Sequence, residues 1–335
     1  MVAFCHGGRN SILAATNYGG QYGNGTIFRI NISTGVKQAL TQLKNPLNLT
    51  TIIPADTGAF AYSNIGKVVC YINRAGALKV FRNAPPCNGI STSAGTLYGE
   101  SPGQIFGLPF AKSATMVLHP NFVTLWSAST GRWLAPNSID AKKGNLFGLG
   151  TQGNEPMVFM LSASGKFRHW PYALGNLVAS QNCAYGAGLP DHWGGDFPMP
   201  NALHPWTGDN FNVYEFSKTL AGLCVAVIPR SADCQTHPKI LMDANGNFYG
   251  SSFGETFRNG KLVGGGTIFH ISRATGSCEV LAHFFGAMRE WGNDSGILAI
   301  SGNKIIGTSY LRNTGHIGGR PTGRTLWVLT RSFGH

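Results

Sequence analysis

Arginine, histidine and tryptophan residues are concentrated in four long, glycine-rich segments of this 335-residue chain. These segments are residues 167–204, 253–263, 284–295 and 311–324. Guanidinium groups bind carboxylates through two parallel hydrogen bonds, and indole rings stack on the apolar faces of sugars. The combination of residue types therefore predicts a binding site for a carboxylated or sulfated polysaccharide.

The same residue types could also cleave a uronic-acid polymer by β-elimination. In that reaction an arginine or a metal ion neutralises the carboxylate, a histidine or tyrosine removes the C5 proton, and a second acid protonates the leaving oxygen. His192 and His316 are the candidates for the base, because each lies in a long, glycine-rich segment beside arginine or tryptophan residues. The candidates for substrate binding are Arg258, Arg289, Trp291, Arg312, Arg320, Arg324, Trp193 and His169.

A metal site is an alternative use of two of these segments. His192 and Asp196 could bind a metal ion together with a second histidine, either His204 or His169. The chain lacks the HExxH pattern and any comparable ligand spacing. We therefore expect no metal site and no cofactor, with a divalent metal left open.

A glycosidase is a further alternative, because it needs a pair of carboxyl groups. Glu100, Glu255 and Glu290 could supply such a pair, although spacing in sequence does not test this. Nothing in the chain resembles a nucleophile elbow, a P-loop or a dinucleotide fingerprint. A hydrolase or isomerase acting at the same segments is thus a third possibility, beside a lyase and a non-catalytic protein.

A repeated phrase of four short strands predicts the fold that positions these segments. Its clearest copy begins with the apolar run 240–242 and the turn 243–246, and continues through the strands 247–252, 266–271 and 278–281. Seven copies in 335 residues give a period of about 48 residues, which is typical of the blades of a β-propeller. We therefore predict a seven-bladed β-propeller with four-stranded antiparallel blades, with six or eight blades as alternatives because residues 170–235 are the least regular.

A closed ring cannot be divided without exposing the faces of its blades, so residues 1–335 are predicted to form one domain. Aromatic residues recur at matching positions of the repeat, and we expect them to be buried between blades. They are Phe28, Phe60, Phe147, Phe248 and Phe269. In such a blade, the loops between strands two and three and the connectors to the next blade emerge at the same end. The four basic segments should then meet around the mouth of the channel.

The wording of the repeat resembles the bacterial tandem-repeat family of choice-of-anchor GloVer proteins, most strongly over residues 239–285. The family's units read roughly Asp-x-x-Gly-Asn-Leu-Tyr-Gly-Thr-Thr, followed by a glycine-rich loop and Gly-Thr-Val-Phe. Here the match is close over residues 243–252 and 266–269, and fair over 12–28 and 302–309. The resemblance implies an extracellular or surface-anchored propeller, and it implies no activity.

Net charge constrains the partners. The chain has 26 Lys and Arg against 14 Asp and Glu, a formal net charge of +12, with only 12% of residues charged. A basic surface attracts acidic polysaccharide, nucleic acid or anionic lipid. No Lys/Arg-rich run or nucleic-acid-binding motif is present, so nucleic acid is an unlikely partner. No apolar stretch reaches the length of a membrane span.

The composition favours an extracellular or cell-surface location. Glycine, asparagine, serine and threonine are abundant. Residues 1–15 carry no secretory signal, so for a secreted protein we expect that the signal peptide has already been removed from this sequence. The seven cysteines include no CxxC pair, and Cys70 with Cys87 and Cys224 with Cys234 are easy disulfide pairings. Burial of Cys70 and Cys224 as small apolar residues is an equal alternative.

Two functions from different classes follow. The first is a carbohydrate-active propeller that binds an anionic uronic-acid polysaccharide and could cleave it as a lyase. The second is a non-catalytic surface, adhesion or virion component. The last blade is expected to stop after its third strand, which would leave an edge open to strand addition by a partner.

Overall fold

The computed structural model shows an all-β chain that forms a seven-bladed β-propeller, as the repeat predicts. The structure describes the chain except residues 1–2, 7–10, 56–57, 64–65, 83, 88, 94, 102, 111–121, 128–132, 135–138, 143–144, 153–154, 173, 181–182, 189–210, 218–220, 229–238, 253–255, 259–260, 286–295, 312–322 and 331–335. Within the described part there is no helix that could cross a membrane. Contacts divide the chain into two compact units, residues 1–155 with 159–168, and residues 156–158 with 169–335.

The first unit contains blades one to four. Blade one consists of β1 (Ala3–His6), β2 (Ser11–Ala15), β3 (Thr26–Asn31) and β4 (Lys37–Gln42), and blade two of β5 (Thr51–Ala55), β6 (Gly58–Ser63), β7 (Val68–Asn73) and β8 (Leu78–Arg82). Blade three consists of β9 (Gly89–Ser93), β10 (Thr96–Ser101), β11 (Gln104–Pro109) and β12 (Val123–Ser127). Blade four consists of β13 (Trp133–Leu134), β14 (Ile139–Lys142), β15 (Asn145–Gln152), β16 (Glu155–Leu161) and β17 (Phe167–Trp170).

The second unit contains blades five to seven. Blade five consists of β18 (Leu174–Ala179), β19 (Cys183–Gly188), β20 (Phe211–Ser217) and β21 (Ala221–Ile228). Blade six consists of β22 (Lys239–Met242), β23 (Phe248–Ser252), β24 (Thr256–Arg258), β25 (Lys261–Ile271) and β26 (Cys278–Phe285). Blade seven has three strands in the described residues, β27 (Gly296–Ser301), β28 (Lys304–Leu311) and β29 (Gly323–Thr330).

The inner strands of successive blades lie side by side within each unit. In the first unit β1 contacts β5, β5 contacts β9, and β9 contacts β14; in the second unit β18 contacts β22, and β22 contacts β27. The Asn176 side chain joins two of these inner strands, because its amide donates to the Ile240 carbonyl and its oxygen accepts from the Ile240 amide, both at 2.8 Å. The last strand of each blade is therefore the outer one.

Blade two shows how alternation along a strand builds the core. On β6, Ala59 and Ala61 pack in the cluster shared with blade one, whereas Phe60 and Tyr62 pack in the cluster shared with blade three. Since successive side chains of a strand point to opposite faces, one strand supplies a small face and a large face. The blade is buried on both sides for this reason.

The buried aromatic residues largely match the prediction. Phe60, Phe147, Phe248 and Phe269 are fully buried. Phe28 of blade one is only half-buried. The neighbouring residue Ile27 points to the opposite face of the strand, and it is Ile27 that packs in the core cluster.

The predicted disulfide pairing of Cys70 with Cys87 is wrong. Both are free thiols, and they lie in different core clusters, Cys70 toward blade one and Cys87 toward blade three. Cys224 is also a buried free thiol, so it does not form the predicted disulfide with Cys234. Cys234 itself lies outside the described residues. The alternative, burial as small apolar residues, is correct for Cys70 and Cys224.

Phe60 offers a direct test of packing between blades. Its ring contacts Tyr71 and Phe110, with centroids 5.4 and 4.9 Å apart. Phe60→Ala should lower the free energy of unfolding by about 3–5 kcal/mol, because the ring is fully buried and leaves a cavity. Phe28→Ala, at a half-buried position of the preceding blade, should have a clearly smaller effect in chemical denaturation; equal effects would contradict the packing described.

Candidate functional site

Two of the predicted substrate-binding arginines belong to strands at corresponding ends of blades six and seven. We call the end of a blade at which strands two and three are joined its upper end, and the opposite end its lower end. The hairpin of β24 and β25 extends blade six at its upper end, and Arg258 pairs there with Lys261. Arg324 is the second residue of β29 and pairs with Tyr310 near the end of β28. The backbone thus places both residues at upper ends within one unit.

Seven predicted site residues lie outside the described residues, in connections between strands. They are His192 and Trp193 between β19 and β20, Arg289 and Trp291 between β26 and β27, and Arg312, His316 and Arg320 between β28 and β29. The first and last of these connections join strands two and three of their blades, and the middle one leads to the next blade. Their roles stay predictions.

His169 has a different place from the one expected. The sequence suggested a continuous blade connector over residues 167–204, but that stretch contains the end of blade four and two strands of blade five. His169 lies in β17, the outer strand of blade four, and its side chain is exposed. The connector was misassigned because β18 and β19 are rich in glycine and alanine and carry few β-branched residues.

Glu100 is the most unusual polar residue that the structure describes. It lies in β10 of blade three, opposite Gly89 of β9 and Ile105 of β11, and is fully buried. Among the described residues, neither carboxyl oxygen has a hydrogen-bond partner. Burial raises the pKa of this carboxyl well above its ordinary value, because ionisation inside an apolar blade is unfavourable. Burial therefore favours the neutral form of Glu100, and its side chain is not accessible to a substrate.

Tyr62 and Cys87 form a second buried polar group, between blades two and three. The Tyr62 hydroxyl accepts a hydrogen bond from the Cys87 amide at 2.7 Å and donates one to the Pro85 carbonyl at 3.0 Å. Burial raises the pKa of the Tyr62 hydroxyl above its ordinary value and that of the Cys87 thiol to about 12. A thiol with such a pKa is protonated at neutral pH and is a poor nucleophile, so this group holds the connector between blades in place.

A polar cluster at the lower ends of blades five and six contains an ion pair. Arg273 lies 3.8 Å from the Glu215 carboxylate and 5.2 Å from the centroid of the Tyr185 ring. The Cys183 thiol donates to the Tyr185 hydroxyl at 3.3 Å, and burial raises the pKa of that hydroxyl. Tyr185 also packs against Phe248 of the next blade. These contacts join two blades.

His270 forms a smaller polar contact on the other face of blade six. Its Nδ1 lies 3.8 Å from the Glu279 carboxylate, and its ring lies 4.8 Å from that of Tyr249. Over the described part of the chain, no three His, Cys, Asp or Glu side chains are grouped closely enough to hold a metal ion. His192, Asp196 and His204, the predicted alternative ligands, are not in that part.

Comparison with solved structures finds other β-propellers at low sequence identity. A streptogramin B lyase is 10% identical with a TM-score of 0.55, covering 91% of both chains. Virginiamycin B lyase from Staphylococcus aureus is 10% identical with a TM-score of 0.53, covering 91% of this chain and 90% of that one. A 6-phosphogluconolactonase-like protein from Bacteroides uniformis is 12% identical with a TM-score of 0.50, covering 96% and 99%. At such identities the likeness establishes the fold alone.

No protein-family model matches the chain, and comparison with curated proteins gave no match either. The resemblance of the repeats to the GloVer proteins therefore stays a prediction.

The burial of Glu100 predicts how the stability of the protein depends on pH. The folded state holds the proton more tightly than the unfolded chain, whose ordinary pKa is 4.5. The stability associated with this group is complete below that pH and decreases as pH rises toward the raised pKa of the folded state. Glu100→Gln, which keeps the shape of the neutral acid, should melt increasingly above the parent from pH 5 to pH 8.

The matched control for this experiment is Glu279→Gln, because the Glu279 side chain is 62% exposed. Its melting temperature should stay close to that of the parent as pH rises over the same range. A constant difference between Glu100→Gln and the parent over this pH range would contradict a raised pKa of the Glu100 carboxyl in the folded state.

Proposed function

We propose that this protein is an extracellular or cell-surface β-propeller that binds an anionic, uronic-acid polysaccharide at the upper ends of its blades. The observation that carries the proposal is the state of the acidic residues. Of the 14 acidic residues, the structure describes the side chains of four, and all four are engaged within the protein fold. Glu100 is buried, Glu215 pairs with Arg273, and the Glu279 carboxylate lies 3.8 Å from Nδ1 of His270.

The fourth acidic residue, Asp243, is also engaged. Its carboxylate accepts hydrogen bonds from the amides of Asn245 and Asn247, both at 2.9 Å, and so closes the turn of blade six. The described basic residues are mostly exposed. They include Lys37, Lys44, Lys67, Arg74, Lys79, Arg82, Lys142, Lys166 and Arg168. A surface with this balance attracts polyanions.

The long upper-end connections support the location of the site. The backbone of Arg258 and Arg324 lies at the upper ends of blades six and seven. The segments that contain the other predicted arginines and tryptophans also join strands at the upper ends of their blades. Guanidinium groups suit a carboxylated chain better than a neutral one. Nucleic acid is a weaker alternative, since the sequence has no nucleic-acid-binding motif.

Cleavage by β-elimination is the activity we propose for this site. His192 or His316 would remove the C5 proton, and Arg289, Arg320 or Arg324 would neutralise the uronate carboxylate so that this proton becomes acidic. Two of the similar structures are lyases, so a propeller of this kind is compatible with elimination chemistry. The fold alone does not assign the reaction.

A non-catalytic surface or adhesion protein is the second candidate, and blade seven favours it. In the described residues this blade ends at β29, whose Val328 is 38% exposed. Among the described strands β29 pairs only with β28, and a strand paired on one side can accept a strand from a partner. Binding of a polysaccharide without cleavage would support this candidate.

Binding can be tested with two upper-end arginines. The parent should bind oligogalacturonate with an affinity that decreases steeply as salt is added, because much of the attraction is between charges. The double variant Arg258→Ala, Arg324→Ala should bind about tenfold more weakly, with a shallower salt dependence, in calorimetric titration.

The control is Lys166→Ala, which removes an exposed charge from the lower-end turn between β16 and β17. Its affinity should be close to that of the parent. An affinity of the parent that does not respond to salt would overturn the electrostatic basis of binding.

Catalysis can be tested with the two candidate bases. His192→Ala or His316→Ala should reduce the turnover of a uronic-acid polymer by on the order of a hundredfold, which is typical of the loss of a general base. Production of unsaturated ends is followed by ultraviolet absorbance, and circular dichroism confirms that the variant is folded. His283→Ala, on the exposed outer strand β26, is the control and should keep full activity.

If both histidine variants kept full activity, neither residue would be the base. If the parent released no unsaturated product from any uronic-acid polymer but still bound one, the non-catalytic candidate would replace the lyase.

A further inference from the structure

The connection between β2 and β3 holds two exposed tyrosines on a tightly bonded loop at the upper end of blade one. Tyr18 is 76% exposed and Tyr22 is 47% exposed. They are the two aromatic residues among the large apolar side chains that are exposed in the described part of the chain. Both belong to the ten residues 16–25, and we call this segment the tyrosine loop.

Backbone hydrogen bonds fix the shape of the tyrosine loop. The Gly25 amide donates to the Gly19 carbonyl at 2.8 Å, and the Gly23 amide donates to the Gly20 carbonyl at 3.2 Å. Gly19, Gly20, Gly23 and Gly25 all have positive φ, from 74° to 104°. A Cβ at Gly25 would collide with the backbone of Thr16. Glycine is therefore required for this conformation.

Side chains attach the tyrosine loop to the rest of blade one and to the connector that follows it. The Gln42 side-chain oxygen accepts from the Gln21 amide at 3.1 Å and from the Thr26 hydroxyl at 2.8 Å. Asn24 donates to the Lys44 carbonyl at 2.8 Å, and Asn17 donates to the Leu49 carbonyl at 2.9 Å. The tyrosines are thus displayed by a loop held at both ends.

Two lysines lie in the connections next to the tyrosine loop. Lys44 follows β4 in the segment to which Asn24 is bonded, and it is exposed. Lys67 is exposed at the end of the β6–β7 connection, whose Gly66 approaches the carbonyl of Leu47 in the same segment. Two aromatic rings and two ammonium groups therefore belong to neighbouring connections at the upper ends of blades one and two.

We infer that the tyrosine loop is a binding subsite for a polysaccharide chain, with Tyr18 and Tyr22 in contact with sugar rings. The π face of an aromatic ring is electron-rich and attracts the C–H groups on the apolar face of a pyranose. Lys44 and Lys67 supply positive charge for the carboxylates of the same chain. A loop that is already ordered loses little conformational entropy on binding, so the rings contribute efficiently to affinity.

The inference rests on the proposed function and extends it to blade one. The probes are oligogalacturonate and a neutral cello-oligosaccharide of the same length, titrated calorimetrically against the whole chain. Tyr18→Ala and Tyr22→Ala should each weaken binding of oligogalacturonate about tenfold, and Tyr→Phe at either position should restore it. Val36→Ala is the control, since Val36 is 62% exposed in the lower-end turn of the same blade.

A separate variant tests whether the rigidity of the tyrosine loop contributes to binding. Gln42→Ala keeps both tyrosines but removes the acceptor for Gln21 and Thr26. It should weaken binding of oligogalacturonate severalfold, because the loop must then be ordered on binding. Equal affinity of Gln42→Ala and the parent would show that the bonded loop makes no contribution.

The outcomes separate the subsite from the proposed function. If the parent binds oligogalacturonate and the alanine variants bind it equally well, the subsite is wrong and the proposed function survives. If the parent binds only the neutral probe and loses it in the alanine variants, the tyrosine loop is a sugar-binding surface and the preference for anions is wrong. If the parent binds neither probe, both are wrong.

Discussion

Blades three, four and six depend on the packing of an aromatic ring from the third strand onto a glycine of the second strand. Gly99 pairs with Phe106 in blade three, and Gly250 pairs with Phe269 in blade six. A Cβ at either glycine would collide with the partner ring, and the same holds for Gly148 and Phe159 in blade four. The recurrent aromatic–glycine pair of the sequence, as in Tyr249-Gly250, is thus explained by the space that the ring needs.

This constraint separates the parts of the chain that are fixed from the parts that are free to vary. Strands two and three of a blade are held by cross-strand packing, and blade two is covered on both faces by blades one and three. The connections at the upper ends are not part of that packing, so they can differ in length and composition between blades. The tyrosine loop and the β24–β25 hairpin are two such connections, one structured by glycines and the other by strand pairing.

Much of the fold could be predicted because strong strand signals recur with the repeat. Blades one, two and six contain runs such as 26–30, 68–72 and 266–271, which are rich in β-branched and aromatic residues. Blade three gives a weaker signal, because its third strand, β11 (Gln104–Pro109), contains glycine and proline.

The candidate site could be predicted only in outline. Residue types and spacing indicated basic, aromatic connections, and the topology shows that Arg258 and Arg324 do belong to upper ends. Burial of Glu100 and exposure of Tyr18 gave no signal in the sequence, because both depend on contacts between segments distant along the chain. The glycines around Tyr18 and Tyr22 were the one available sign that this loop has a defined shape.

Hydrogen–deuterium exchange with and without oligogalacturonate tests the central claim, a polysaccharide site at the upper ends of the blades, most directly. Binding there should slow exchange in the tyrosine loop and in the β24–β25 hairpin, because bound sugar covers their amides. The lower-end turns, residues 32–36 of blade one and 272–277 of blade six, should exchange at unchanged rates. Slowed exchange confined to those lower-end turns, or no change anywhere at saturating oligogalacturonate, would contradict the claim.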